Sequence, residues 1–317
     1  MGTLSAILLA EKDIEVVLWG RSDERIETLA RDRENKQYLP GHPLPASLRF
    51  TSDPRALNDP QLIVSAVPCQ HMRSVWTRFK GHIPAGAAVV SVAKGIEVNT
   101  LLSPTNIIVD CLGPVPVACL SGPSIAPEVA AHKPATVVVA SKDASVAGMI
   151  QACFATKYFR VYSSEDLVGV ELAGAVKNVI AIAAGIADGI EAGDNAKASL
   201  VTRGLVEITR LGMALGASVH TFRGLAGVGD LVTTAISKIS RNRSAGERIG
   251  RGVPVDEVLA STPSVIEGVP TTRSVLELAA RHDVEMPIVS GVASVLFDGV
   301  SPSDAIDALM MRPLHGE

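Results

Sequence analysis

The chain has 317 residues, with 29 Lys plus Arg against 33 Asp plus Glu for a net charge of −4, and is 47% hydrophobic but only 3% aromatic. Such hydrophobicity with so little net charge excludes a disordered chain. The acidic balance, with three Tyr, two Trp and six Phe, excludes a general nucleic-acid binder, which needs a basic field and stacking platforms.

The length suits about two domains. The first half alternates helices and strands. Leu4, Ile7 and Leu8 space a short helix over 2–11, and IEVVLW over 14–19 is a buried strand. Ser22 is a cap-like start for a helix over 22–31. Apolar runs then predict strands over 61–67, 87–93, 115–120, 135–140 and 158–162. Continuous apolar runs between helical stretches read as a parallel sheet covered on both faces. From about Leu167 onward helical periodicity takes over, with helices predicted over 167–190, 196–215, 221–225, 229–239, 255–259, 271–281 and 290–297. The expected architecture is therefore α/β plus all-α: a Rossmann-like parallel-sheet domain over 1–165, then an all-helical domain over 166–317.

Lys177, Asn178 and Asp188 interrupt the apolar stretch over 172–190, which argues for a buried helix and against a membrane span. The opening MGTLSAILLAEKD has no basic n-region, so no secretory signal is expected and a cytoplasmic location is. Four cysteines without a CxxC pair and seven histidines without an HExxH spacing suggest reduced thiols and no metal.

Several residues stand where ligand chemistry is usual. Gly2 precedes a helix, as the last glycine of a dinucleotide fingerprint does. Arg21 follows the second strand, where an NAD-selective enzyme usually carries an acid, and could hold a 2′-phosphate. Lys94 lies at a strand's C-terminal end. Gly122 and Ser124 follow another strand and open the helix IAPEVA. Lys177 lies among Ala173, Gly174, Val176, Val179 and Ile180, where burial lowers an amine's pKa toward general acid–base use. Asp230 follows the glycine-rich GLAGVG. Arg241 and Asn242, about three helical turns further on, could fork onto a phosphate. Taken singly, each has a plainer reading: an ordinary first helix, a solvated turn arginine, a snorkelling lysine, helix caps, a solvated basic run.

Together, VVLWGR, VAKGIE, SGPSIAPEVA, the stretch containing AVKNV, GLAGVGDLVTT, SRNR and VIEG resemble the bacterial-type NAD(P)-dependent glycerol-3-phosphate dehydrogenases over nearly the whole chain. The resemblance implies interconversion of dihydroxyacetone phosphate and sn-glycerol 3-phosphate, supplying glycerol phosphate for phospholipid synthesis. It implies Lys177 as proton donor and acceptor, with Lys94 and Asp230 beside it. Substrate contacts fall on Lys94, Gly122, Ser124, Lys177, Asp230, Ser240, Arg241 and Asn242. Cofactor contacts fall on Gly2, Arg21, Lys94, Ala126, Arg241, Val265 and Glu267. NAD or NADP is expected, with NADPH favoured through Arg21. Expected partners are a small phosphate substrate and a second copy of the chain in a homodimer, without nucleic acid.

The family pattern begins with a further strand and the first glycines of G-x-G-x-x-G, which this sequence lacks. The chain as it stands is thus expected to hold a dinucleotide weakly. An inactive remnant that binds phosphate metabolites, and another Rossmann-plus-helical hydroxy-acid reductase, are the alternatives.

Overall fold

The computed structural model describes residues 1–57, 59–84, 86–262 and 265–313. The chain splits into two compact units: Met1–Ala93 with Pro104–Leu167, and Lys94–Ser103 with Val168–Glu317.

The first unit runs α1 (Gly2–Ala10), β1 (Val17–Trp19), α2 (Asp23–Asp32), β2 (Glu34–Asn35), β3 (Leu39–Pro43), β4 (Arg49–Thr51), β5 (Leu62–Ser65), α3 (Cys69–Trp76), β6 (Ala88–Ser91), α4 (Pro104–Leu112), β7 (Val117–Ser121), α5 (Ala126–Ala130), β8 (Ala135–Ala140), α6 (Ala144–Phe154) and β9 (Phe159–Ser164). Ser22 caps α2 by accepting from the Arg25 N–H. The five apolar runs form one sheet in the order β5-β6-β7-β8-β9. Every residue of β6 is buried, so both its faces are covered. Leu4 and Leu8 of α1, Val90, Leu120, Val139 and Phe154 share the core over this sheet.

The structure differs from the all-parallel expectation at one ladder. β7 and β8 run antiparallel, with Leu120 opposite Val139, while the other three ladders are parallel. A strand buried on both faces reads as the same apolar run in either direction, so composition carries no sign of the reversal. The strand expected over 14–19 shortens to β1, which pairs in parallel with the unpredicted β4. The unpredicted β2 and β3 pair antiparallel. The sequence LPGHP of β3 holds two prolines and a glycine, the opposite of a strand signature.

The second unit holds α7 (Leu167–Gly189), α8 (Asp194–Ala214), α9 (Val219–Arg223), a π turn (Leu225–Gly229), α10 (Asp230–Ile236), α11 (Arg241–Gly250), α12 (Val255–Ala260), α13 (Gly268–Arg281), α14 (Pro287–Phe297) and α15 (Pro302–Met310). α7 is long and apolar enough to cross a membrane by composition, but 94% of its most apolar window is buried. A helix apolar on every side is a core helix when it is enclosed, and Val176, Val179, Ile180 and Ile182 are fully enclosed.

In the second unit two helices escape the sequence reading. α11 (RNRSAGERIG) buries small and polar residues, among them Asn242, Arg243, Ala245 and Gly246. α15 buries only Ala305. The SRNR run does not continue the preceding helix: α10 ends at Ile236, and Ser240 starts α11 by accepting from the Arg243 N–H.

The segment Lys94–Ser103, expected with the sheet domain, clusters with the helices. Ser274 Oγ of α13 donates to Ile96 O at 3.0 Å, and Ser103 Oγ donates to Glu171 of α7 at 2.7 Å.

Candidate functional site

Lys177 occupies the middle of α7 and is 6% exposed. Its ammonium donates to Asp230 Oδ1 and to Thr234 Oγ1, each at 2.6 Å. An uncompensated buried charge is costly, and here the compensation comes from α10. Asp230 is the first residue of that helix and Thr234 lies one turn on, so both face the same side. Thr234 Oγ1 also donates to Asp230 O at 2.7 Å, which fixes the hydroxyl.

The turn before α10 needs glycine. A Cβ on Gly227 would lie 2.1 Å from Phe222 O, closer than any side chain tolerates. This contact brings the backbone back on itself and delivers Asp230 into the core at 2% exposure. Asp230 is not a helix cap: the residue before it caps α10 without a side-chain bond, and both its oxygens go to lysines. Lys94 Nζ donates to Oδ2 at 2.6 Å.

Two ammonium groups therefore share one carboxylate. Burial lowers the Lys177 pKa to about 8, and the nearby Lys94 charge adds to this while Asp230 opposes it. Burial by itself would raise the Asp230 pKa, but the two lysines together outweigh it and hold the carboxyl below its ordinary value. The arrangement keeps Asp230 ionised and leaves Lys177 able to gain or lose a proton near neutral pH, the property of a general acid–base.

Asn178 extends the site along α7. Its Nδ2 donates to Lys94 O at 3.5 Å, and its Oδ1 accepts from Asn242 Nδ2 at 3.0 Å. Asn242 Oδ1 in turn accepts from the Gly268 N–H at 2.9 Å. Asn242 is thus buried with both ends of its amide engaged, rather than standing in solvent beside Arg241. Arg241 is the exposed member of the run and donates to Val265 O at 3.2 Å. Glu267 is the residue before α13. Within the second unit, Lys94, Lys177, Asp230, Asn242 and Arg241 are thus linked through α7, α10 and α11. Ser240 serves as the α11 cap.

Gly2, Arg21, Gly122, Ser124 and Ala126 belong to the first unit. Gly2 begins α1, which has no side-chain cap and no acidic residue in its first turn. A Cβ on Gly2 would lie 3.1 Å from Ala66 Cβ, and Gly122 has φ +130°. Ser124 Oγ donates to Gly122 O at 3.1 Å, and Ala126 begins α5. Ser121 Oγ is buried at the end of β7 with no hydrogen-bond partner among the described residues. Arg21 is exposed beyond β1.

A helix start without acid, an exposed guanidinium and an orphaned buried hydroxyl are features that fit an anionic dinucleotide. Gly2, Arg21 and Ala126 are the residues of this unit that would hold it. Thr234 and Ser121 were not marked by sequence. The signal for Thr234 is its i+4 spacing from Asp230; Ser121 carries none.

Comparison with known proteins covers both units. Residues 1–147 match the profile of the NAD-dependent glycerol-3-phosphate dehydrogenase N-terminus, and residues 166–307 that of its C-terminus. A glycerol-3-phosphate dehydrogenase [NAD(P)+] of Streptomyces griseus is 46% identical over 320 residues, covering 100% of this chain and 95% of the relative. That of Thermobifida fusca is 46% identical over 321 residues, covering 100% and 95%. The crystal structure of glycerol-3-phosphate dehydrogenase from Coxiella burnetii superimposes with a TM-score of 0.94 at 38% identity, covering 98% of this chain and 95% of that one.

Proposed function

Because the chain belongs to the NAD-dependent glycerol-3-phosphate dehydrogenase family, we propose that it interconverts dihydroxyacetone phosphate and sn-glycerol 3-phosphate with NAD(P)H. The observation that carries the reading is the cluster in which Lys94 and Lys177 flank the buried Asp230.

The nicotinamide group supplies a hydride to the C2 carbonyl when bound. As C2 is reduced, negative charge develops on its oxygen. Lys177, protonated and aimed by Asp230 and Thr234, gives a proton to that oxygen. In the reverse direction the neutral amine takes it back. Lys94 places a second positive charge beside the same oxygen and lowers the proton affinity of Lys177 by like-charge repulsion. Asp230 stays ionised throughout and orients the amine. Arg241 supplies a guanidinium for phosphate oxygens, which it can meet in bidentate fashion. The neutral balance is one ketone, one hydride and one proton in, one secondary alcohol out.

Cofactor binding is assigned to 1–165 and substrate chemistry to 166–317, with Lys94–Ser103 added to the latter. NADPH is favoured over NADH because Arg21 stands where an acid would repel a 2′-phosphate. The product suits phospholipid synthesis in the cytoplasm, and the assembly is taken as a homodimer, the commonest closed oligomer.

The test is oxidation of NADPH and NADH by the purified chain with dihydroxyacetone phosphate, with chiral identification of the product. Turnover that yields sn-glycerol 3-phosphate is expected. Turnover with a 2-keto acid but not with dihydroxyacetone phosphate would overturn the reading.

A further inference from the structure

α11 meets α7 through glycine. A Cβ on Gly185 would lie 2.0 Å from Arg243 O, and one on Gly246 would lie 2.1 Å from Ile182 O. Further along, a Cβ on Gly189 would lie 2.3 Å from Glu247 O, and one on Gly250 2.4 Å from Ile186 O. The two backbones touch directly. At these four glycines no side chain stands between the helices, so the ridges that normally fix the sliding position of two helices are reduced there; Ala245 and Ile249 of α11 share the core with Ile182, Ala183 and Ile186 of α7.

Two consecutive residues of α11 add polar specification, and they reach in opposite directions along α7. Asn242 reaches back to Asn178 at 3.0 Å. Arg243 reaches forward to Asp188, its Nη2 lying 2.6 Å from Oδ2. Asn178 and Asp188 are roughly 15 Å apart on a helix rising 1.5 Å per residue, with the glycine crossing between them. Arg243 is 7% exposed, and its Nη1 lies 3.1 Å from Glu247 Oε2 on its own helix. Lys197 at the start of α8 places Nζ 2.8 Å from both Asp188 oxygens. The guanidinium is therefore clamped between two carboxylates, one of them anchored from a third helix.

We propose that Arg243 and Asp188 are positioning residues for substrate phosphate binding: their buried ion pair, opposed by the Asn242–Asn178 bond, sets the sliding position of α11 on α7. That position decides where the exposed Arg241 stands relative to Lys177. The proposal rests on the dehydrogenase reading above, in which Arg241 meets the phosphate while Lys177 meets C2, two points of one small molecule. A shift of α11 along α7 moves one without the other. A guanidinium displaced from the phosphate forfeits a charge-assisted hydrogen bond, which weakens binding by about tenfold or more.

The experiment compares Arg243→Met, Arg243→Lys and Asp188→Asn with the parent chain. It reads KM and kcat for dihydroxyacetone phosphate, inhibition by inorganic phosphate, and the thermal midpoint. Arg243→Met and Asp188→Asn are expected to raise KM and the phosphate inhibition constant together, about tenfold, with kcat at saturation within about twofold. Arg243→Lys, which still reaches Asp188, recovers most of the loss.

A folded Arg243→Met or Asp188→Asn protein with parental KM would overturn the proposal. So would a lowered midpoint with kcat falling in step with the folded fraction and KM unchanged, because that is a purely structural role. If Arg243→Met fails to fold, Asp188→Asn and Arg243→Lys decide by the same two readings. Absence of turnover in the parent chain would instead overturn the reading on which the proposal rests.

Discussion

Lys177 donates to Asp230 across 2.6 Å with both residues sealed from solvent. A buried ion pair of this kind seldom stabilises a fold more than apolar residues of the same shape would. What it provides here is an amine held in one direction with its proton affinity under control. The predictions follow from that control and from the groups around it.

Lys177→Ala removes the proton donor and leaves the α7 packing face intact. Reduction of dihydroxyacetone phosphate should fall by about 10²–10⁴-fold in kcat. A variant retaining more than about a tenth of the parental kcat would contradict the proton-transfer role. In the parent chain, reduction needs Lys177 protonated, so its kcat should decline as pH rises through about 8. Oxidation of glycerol 3-phosphate needs it neutral and should rise through the same pH. Full pH profiles in both directions check this mirror relation.

Asp230→Asn takes away the opposite charge that favours the protonated amine. An opposite charge within about 4–6 Å is worth roughly 1–3 pK units, and two ammonium groups would now face one neutral amide. The limb near pH 8 should move down by a unit or more, and reduction at pH 7 should fall with it. A limb at the parental pH would show that Asp230 does not govern the proton on Lys177.

Arg241 is the solvent-facing member of its run and donates to Val265 O at 3.2 Å. Hydrogen bonds to a charged group are worth about 1.5–3 kcal/mol, so Arg241→Ala should raise KM for dihydroxyacetone phosphate by about 10–100-fold. Equal KM values for substrate and cofactor in parent and variant would reduce Arg241 to a solvated helix start.

Arg21 stands at the end of β1 with no acid in its place. The ratio of kcat/KM for NADPH to that for NADH should be at least one in the parent and should fall in Arg21→Ala. A strong NADH preference that the substitution leaves untouched would refute the assignment.

Glu207 sits outside this machinery and is 5% exposed. Its carboxylate accepts from the Ile288 N–H at 2.8 Å and the Val289 N–H at 3.3 Å, so it caps α14 from α8. Burial raises its pKa to about 7, against the pull of those N–H groups and of Arg210 and Arg312. The folded state thus holds the proton more tightly than the unfolded chain does. The stabilising contribution is complete below the ordinary carboxyl range and is lost as pH rises through about 7. Glu207→Gln keeps an oxygen acceptor for the N–H groups without the charge. Relative to the parent it should gain stability on going from pH 5 to pH 8, by at most about 3 kcal/mol. Denaturant melts at the two pH values measure the difference.

The sequence made some of this legible and hid the rest for identifiable reasons. QLIVSAV and AAVVSVA announce β5 and β6 because strands buried on both faces are apolar throughout. The antiparallel entry of β8 leaves no trace in composition. Lys177 is conspicuous because every neighbour is apolar, and Asp230 because glycines precede it. Their partnership spans 53 residues and is legible only through the family resemblance. α11 was unreadable by periodicity, since the face it buries has Ile249 as its one large apolar residue, beside Ala245, Gly246, Asn242 and Arg243. Asn242 also uses its amide to tie α11 to α7 and α13, a role its sequence neighbours do not announce.

Because Lys94–Ser103 joins the helices, the chain changes unit three times along its length, after Ala93, Ser103 and Leu167. Neither unit is a continuous piece of gene. A fragment beginning at Val168 would carry Lys177 and Asp230 but not Lys94, and Asp230 would keep one cation of two. The Ser274 hydroxyl would lose its 3.0 Å bond to Ile96 O and keep the 3.4 Å one to Pro270 O. A single N-terminal cut that keeps both lysines with Asp230 must fall before Lys94, and it carries Pro104–Leu167 of the sheet unit along with them.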